Sequence, residues 1–199
     1  LIAVLLIIFL SIIAYGNIFL NDFVWDDYTF ILENPDIKSF SNAPKFFTHS
    51  VDGLYRPLRS IHYTAVYSIF KKNPFGYHLN ALFFHIIISV LIYLIILKLT
   101  NKNTIALVSS LLFALHPIHT DRVTNMTAGF DLLGIFLYLL AFYFYILFSS
   151  EEKGSAKRAY FFLSIIVFII GLLASEEIVT LPLAIILYFL VLYIVKGVG

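Results

Sequence analysis

Four short stretches of this chain combine residue types that do chemistry. Trp25-Asp26-Asp27 sets two carboxylates side by side next to apolar sequence. Neighbouring carboxylates raise each other's proton affinity, as partial burial does, and such a group can serve as a general base. The same pair could hold a divalent cation through oxygen ligands, or simply start a helix. Tyr55-Arg56-Pro57-Leu58-Arg59 places two guanidinium groups around a proline-fixed turn. Their fork of donors suits a phosphate, and at a membrane surface the same side chains can snorkel to headgroups. His116-Pro117-Ile118-His119-Thr120-Asp121-Arg122 invites a zinc reading, but Pro117 interrupts any shared helical face. A polar helix end, or imidazoles hydrogen-bonded to phosphate, fits that segment better. The fourth is made of Asp131, Glu176 and Glu177, acids at the edges of long apolar runs. Each can act in a site or sit in the dipole field of a helix N-terminus.

The elements that must position these residues are membrane helices. Of 199 residues 61% are hydrophobic and 13% charged, and mean hydropathy is +0.94. A soluble domain carries about 25% charged residues, so a soluble globule and a disordered chain are both excluded. A net charge of +1 gives no basic surface for nucleic acid, and the absence of Cys removes disulfides and thiolate chemistry. Charged residues are missing from 1–21, 73–97, 103–120, 132–150, 159–175 and 178–195. A spanning helix needs about 20 apolar residues. The expectation is therefore an all-α polytopic bundle of about six transmembrane helices, a single membrane domain over 1–199. Because Leu1 already lies in an apolar run, the chain reads as a fragment of a longer polypeptide.

Lys98, Lys102, Lys153, Lys157, Arg158 and Lys196 fall in or beside the even connections and after the last run, which marks that side as cytoplasmic. The outer side then holds ten of the twelve acids: Asp22, Asp26, Asp27, Glu33, Asp36, Asp52, Asp121, Asp131, Glu176 and Glu177. All six His fall there too (His49, His62, His78, His85, His116 and His119). A transport path would concentrate polar groups near the midplane instead. The long first connection, 22–72, is the main external loop. Asn34-Pro35-Asp36 predicts a turn, and Ala43-Pro44-Lys45 a short helix with Pro in its first turn. Pro57 opens a helix to about Phe70. Leu58, Ile61, Ala65 and Ile69 form its apolar stripe, beside a polar flank of Arg56, Ser60, Tyr63, Tyr67 and Lys71. That pattern predicts an interfacial helix lying on the bilayer. Asn80 and His85 read as polar packing between helices, and Asn125-Met126-Thr127 matches a glycosylation acceptor pattern to which no function is attached.

The order of motifs resembles a known family. Phe23-Val24-Trp25-Asp26-Asp27, Asn34-Pro35-Asp36-Ile37, Tyr55-Arg56-Pro57-Leu58 and Gly76-Tyr77-His78-Leu79-Asn80 come first. His85, Ala114-Leu115-His116-Pro117-Ile118-His119-Thr120, Asp131-Leu132-Leu133, and Glu177 with Thr180-Leu181-Pro182 follow. Together they resemble the membrane half of the transmembrane and tetratricopeptide-repeat proteins, members of the GT-C superfamily of glycosyltransferases. The match covers roughly 15–190. It implies a GT-C-like module that moves a sugar, mannose or another hexose, from a polyprenyl-phosphate donor to a protein hydroxyl, with inversion and without a required cofactor. A divalent metal is left open. By resemblance Asp26 is the catalytic base, with Asp27 the alternate. Arg56, Arg59, His116, His119, Arg122, Asp131 and Glu177 are the substrate-binding set.

Two positions depart from the family pattern. Ala128-Gly129-Phe130 stands where an Arg usually precedes the acid aligned with Asp131, and Glu176 stands where a Lys often precedes Glu177. The expected location is a bacterial inner membrane or the endoplasmic reticulum membrane, with the active face periplasmic or lumenal. The partners implied are the lipid bilayer, the lipid-linked donor and a protein acceptor, with no nucleic acid. A polytopic transporter and a non-catalytic membrane scaffold for a repeat domain are the alternatives.

Overall fold

A computed structural model describes residues 1–51 and 53–196, so Asp52 lies outside the described residues. The chain is an all-α membrane bundle. Five helical stretches are long and apolar enough to cross a bilayer: Ile2–Leu20, Pro74–Thr100, Met126–Ser150, Ser155–Leu172 and Glu176–Ile194. The helices are α1 (Ile2–Tyr15), α2 (Pro57–Phe70), α3 (Pro74–Thr100), α4 (Asn103–Leu115), α5 (Thr120–Thr124), α6 (Met126–Gly129), α7 (Leu132–Ser150), α8 (Ser155–Leu172) and α9 (Leu181–Lys196).

Their ends follow from local chemistry. Asn73 caps α3 by accepting from the Phe75 N–H, and Pro74 occupies the first turn, where its missing N–H costs nothing. α3 runs 27 residues and closes on Asn101, a left-handed residue whose N–H returns to Leu97 O. The third apolar run behaves differently from the others. His116 is extended because Pro117 follows it, so α4 stops at Leu115 after 13 residues. That is about 20 Å of helix against a hydrocarbon core of about 30 Å. α4 lies along α3, and α3 also touches α1, α2, α5, α6 and α7. It is the post around which the bundle is arranged.

The helix directions gather the first, third and fifth connections at one end of the bundle. The first connection folds over α2 as a string of short turns. Asn34 Oδ1 accepts from the Asp36 N–H, forming the expected turn. The 3₁₀ helix Phe40–Phe47 begins ahead of Pro44, because Ser39 caps it through the Ser41 N–H. Phe23, Phe30, Ile31, Ile37 and Phe46 pack with Tyr63, Tyr67, Tyr77 and Phe130 into a core outside the spans.

α2 spans Pro57–Phe70 as its sequence predicts, but burial does not follow the expected stripe. Tyr63 and Tyr67, read as polar flank, are buried, while Ile69 of the apolar stripe is 73% exposed. A tyrosine buries a large ring and satisfies one hydroxyl, so an aromatic core prefers it to a lone Ile. Tyr63 stacks on Phe130 at 3.7 Å between ring centres, and its hydroxyl donates to Thr127 O at 3.4 Å.

Candidate active site

The site begins with the paired acids, which the fold separates. The turn Val24–Asp27 carries Trp25 at φ 47°, a left-handed conformation that a bulky residue adopts only under local constraint. The constraint is Asp27, whose side chain is fully buried. Its Oδ2 accepts from the Val24 N–H at 3.0 Å, and its Oδ1 accepts from the Thr127 N–H at 2.8 Å and the Thr127 hydroxyl at 2.6 Å. Asp27 thus pins the first long connection to α6. The turn leaves Asp26 exposed, with no hydrogen-bond partner among the described residues.

Thr127 relays the link onward. Its carbonyl accepts from Arg59 Nη2 at 3.1 Å. Arg59 is nearly buried, lies over the rings of Phe30 and Tyr63, and brings Nε within 3.1 Å of Asp131 Oδ1. Arg56 Nη1 donates to the same oxygen at 2.9 Å, and Arg122 Nη1 donates to Oδ2 at 2.7 Å. Arg56 also makes a two-pronged pair with Glu176, through Nε at 2.8 Å and Nη2 at 2.6 Å. The hydrogen bond to Glu176 holds the Arg56 guanidinium above its ordinary pKa despite partial burial. Three arginines therefore surround Asp131 and Glu176, and the neighbouring Glu177 adds its charge to the field at Arg56. Residues from the first, third and fifth connections meet here.

The two cations missing from the family pattern have a counterpart in this cluster. Arg56 and Arg59 reach Asp131 from the start of α2, and Glu176, standing at a usual Lys position, becomes the partner of Arg56. The approach depends on small residues. A Cβ on Gly129 would stand 2.7 Å from Ala81 Cβ, and one on Gly134 would stand 2.6 Å from Ser175 Cβ, so both glycines let backbones close around Asp131.

His116 and His119 make no hydrogen bond with the three arginines. His116 Nδ1 accepts from the Ile118 N–H, capping the turn Pro117–His119, with its ring 6.3 Å from that of His119. His119 packs on Phe113 at 4.2 Å and lies near the buried His85, whose Nε2 meets Ala114 O at 2.9 Å. Burial lowers the His119 pKa, and the neighbouring His116 lowers it further. Among the described residues no three His, Asp or Glu converge as a metal ligand set. Glu177 is exposed and edges a largely apolar groove of about 360 Å³ that Ile92, Phe113, Ile135, Tyr138 and Leu139 also line. A second, more polar cleft of about 420 Å³ lies between the first loop and α5, lined by Asn21, Asp22, Val24, Trp25, Asp121, Thr124 and Asn125. Among the described residues, none of the five main cavities is lined by Asp26, Arg56 and His116 together.

Three contacts were not legible beforehand. Thr127 sat inside a pattern that drew attention to Asn125, whose side chain instead caps α6 through the Ala128 N–H. Glu176 was marked as an acid at the edge of an apolar run and as a departure, but its partner Arg56, 120 residues away, was not. His62 pairs with Asn80 through Nε2···Oδ1 at 2.7 Å, between the rings of Phe84 and Phe130. Burial depresses its pKa to about 4.

Comparison with known proteins agrees with the ordered motifs. Residues 57–196 match the family described as dolichyl-phosphate-mannose-protein mannosyltransferase. The chain is 33% identical over 151 residues to Protein O-mannosyl-transferase TMTC3 of Homo sapiens, covering 71% of this chain and 16% of that protein. It is 32% identical to Protein O-mannosyl-transferase TMTC1 of Homo sapiens, over 68% of this chain and 17% of that protein. Protein O-mannosyl-transferase F38B6.6 of Caenorhabditis elegans is 28% identical over 94% of this chain and 28% of its own length. The chain thus spans well under a third of the relatives it resembles. No solved structure matches it. With the family model covering more than half of the sequence, the chain belongs to the dolichyl-phosphate-mannose-protein mannosyltransferase family, in its TMTC-like branch.

Proposed function

We propose that this module transfers a mannosyl group from a polyprenyl-phosphate donor to a Ser or Thr hydroxyl of a protein, with inversion, at the lumenal or periplasmic face. The observation that carries this reading is the continuous connection Asp27–Thr127–Arg59–Asp131–Arg56–Glu176, which ties a cluster of three arginines to the loop that carries the exposed Asp26. In the reaction the acceptor oxygen attacks the anomeric carbon, the bond to the donor phosphate breaks, and a carboxylate takes the hydroxyl proton. Asp26 has the open carboxylate for that step, whereas the Asp27 oxygens are already engaged. Charge developing on the leaving phosphate calls for cations held in advance. Arg56, Arg59 and Arg122 supply them, with Asp131 fixing their positions. The apolar groove beside Glu177 has the character a prenyl chain requires.

The test is transfer from dolichyl-phosphate mannose by the full-length protein in detergent, read by mass. Asp26→Asn is expected to lose at least a hundredfold in rate while folding and inserting normally. Asp27→Asn is expected to lower thermal stability as well, because it disturbs three buried hydrogen bonds. Wild-type rates in Asp26→Asn would reject the base assignment. Substrate flux in liposomes without any transfer would favour a transporter instead.

A further inference from the structure

The cleft beneath Trp25 is not used by the donor chemistry described above, and its character is opposite to that of the arginine cluster. Trp25 is 85% exposed, so its ring stands free at the cleft wall, one residue from Asp26. Burial of Asp27 holds it there: the same turn that hides one carboxylate throws the indole outward at φ 47°. Asp22 and Asp121 line the cleft, and neither pairs with a cation among the described residues. The adjacent Arg122 is committed to Asp131. Asn21, Thr124 and Asn125 complete a polar lining.

Charge decides which substrate fits. A phosphate-bearing donor is repelled by two carboxylates that no cation offsets and finds its guanidinium donors only at the other site, so charge separates donor from acceptor. A cationic side chain gains from both features of the cleft, through the indole face and through the carboxylates. We infer that the Trp25 cleft is the acceptor subsite, and that it selects polypeptide segments carrying Lys or Arg beside the hydroxyl to be modified. This rests on the mannosyltransferase reading for its name, but its binding test does not depend on turnover.

The probe is a pair of labelled Thr peptides, one flanked by Lys and one by Glu, titrated by fluorescence anisotropy into the full-length protein. The Lys-flanked peptide is expected to bind at least tenfold more tightly, and less so as NaCl rises from low to high concentration. Trp25→Gly, which accepts the left-handed backbone without a ring, is expected to weaken it at least tenfold, and Trp25→Tyr to restore most of the loss. Asp22→Asn with Asp121→Asn is expected to erase the preference between the peptides. In transfer assays these variants should raise the acceptor KM and leave the donor KM unchanged. Equal binding of the two peptides, unchanged binding by Trp25→Gly, or a shift confined to the donor KM would overturn the assignment. Selective peptide binding without any transfer would instead preserve the subsite and reject the proposed reaction.

Discussion

A single buried carboxylate shows how little of this site could be read from residue type. Asp26 and Asp27 are indistinguishable in sequence, yet one ends exposed and the other accepts three hydrogen bonds beneath the loop. The motif located the pair, but the partner that separates the two is Thr127, which no spacing rule connects to it. His62 makes a similar point with a measurable consequence. The neutral ring that donates from Nε2 to Asn80 leaves Nδ1 buried without a partner, so a second proton would be buried unsatisfied. With a folded pKa of about 4 against an ordinary 6.5, the unfolded chain takes up a proton that the folded one refuses. The stability His62 contributes is therefore present above pH 6.5 and is lost as pH falls from 6.5 through 4, by about 3 kcal/mol in full. Melting in detergent from pH 7 to pH 4.5 should show a falling Tm. His62→Phe should flatten that part of the profile, and an unchanged profile would sink the assignment.

At the scale of elements, proline and polar caps were the reliable guides. Pro57 and Pro74 open α2 and α3, and Pro117 explains why the third apolar run yields only a short helix. The face of α2 was not legible, because the sequence pattern counts tyrosine as polar whereas the first loop brings an aromatic core down upon it. Close approaches were equally hidden: nothing local marks Gly129 as the place where α6 meets α3. Gly129→Ala would set two Cβ atoms 2.7 Å apart, both fixed to backbone, so α6 must shift and carry Thr127 with it. The expected cost is about 1–3 kcal/mol, as for other overpacked contacts. Tm should drop and transfer should fall at least tenfold, whereas Gly16→Ala, with nothing within 4 Å, should leave both near wild type.

For the molecule as a whole, scarce charge was the most informative sequence feature, and its pairing was the least accessible one. The acids and histidines concentrate at one end, as the runs between them implied, but the bonds that organise them join residues 75 and 120 positions apart. Asp131→Ala would leave Arg56, Arg59 and Arg122 facing one another without their shared counter-ion. Removing one partner of a fully buried ion pair costs about 3–5 kcal/mol, and with Asp131 at 23% exposure about 2–3 kcal/mol is expected. The double exchange Arg56→Glu with Glu176→Arg restores that pair but sets a second carboxylate against Asp131, so Tm and transfer should not recover. The Arg56–Glu176 pair also constrains biogenesis. Arg56 leaves the ribosome long before Glu176, and the two meet only after the fifth apolar run has been threaded through the bilayer. A nascent chain arrested before that point presents an arginine still lacking its two-pronged partner, so maturation of the arginine cluster is timed by insertion of the last helices.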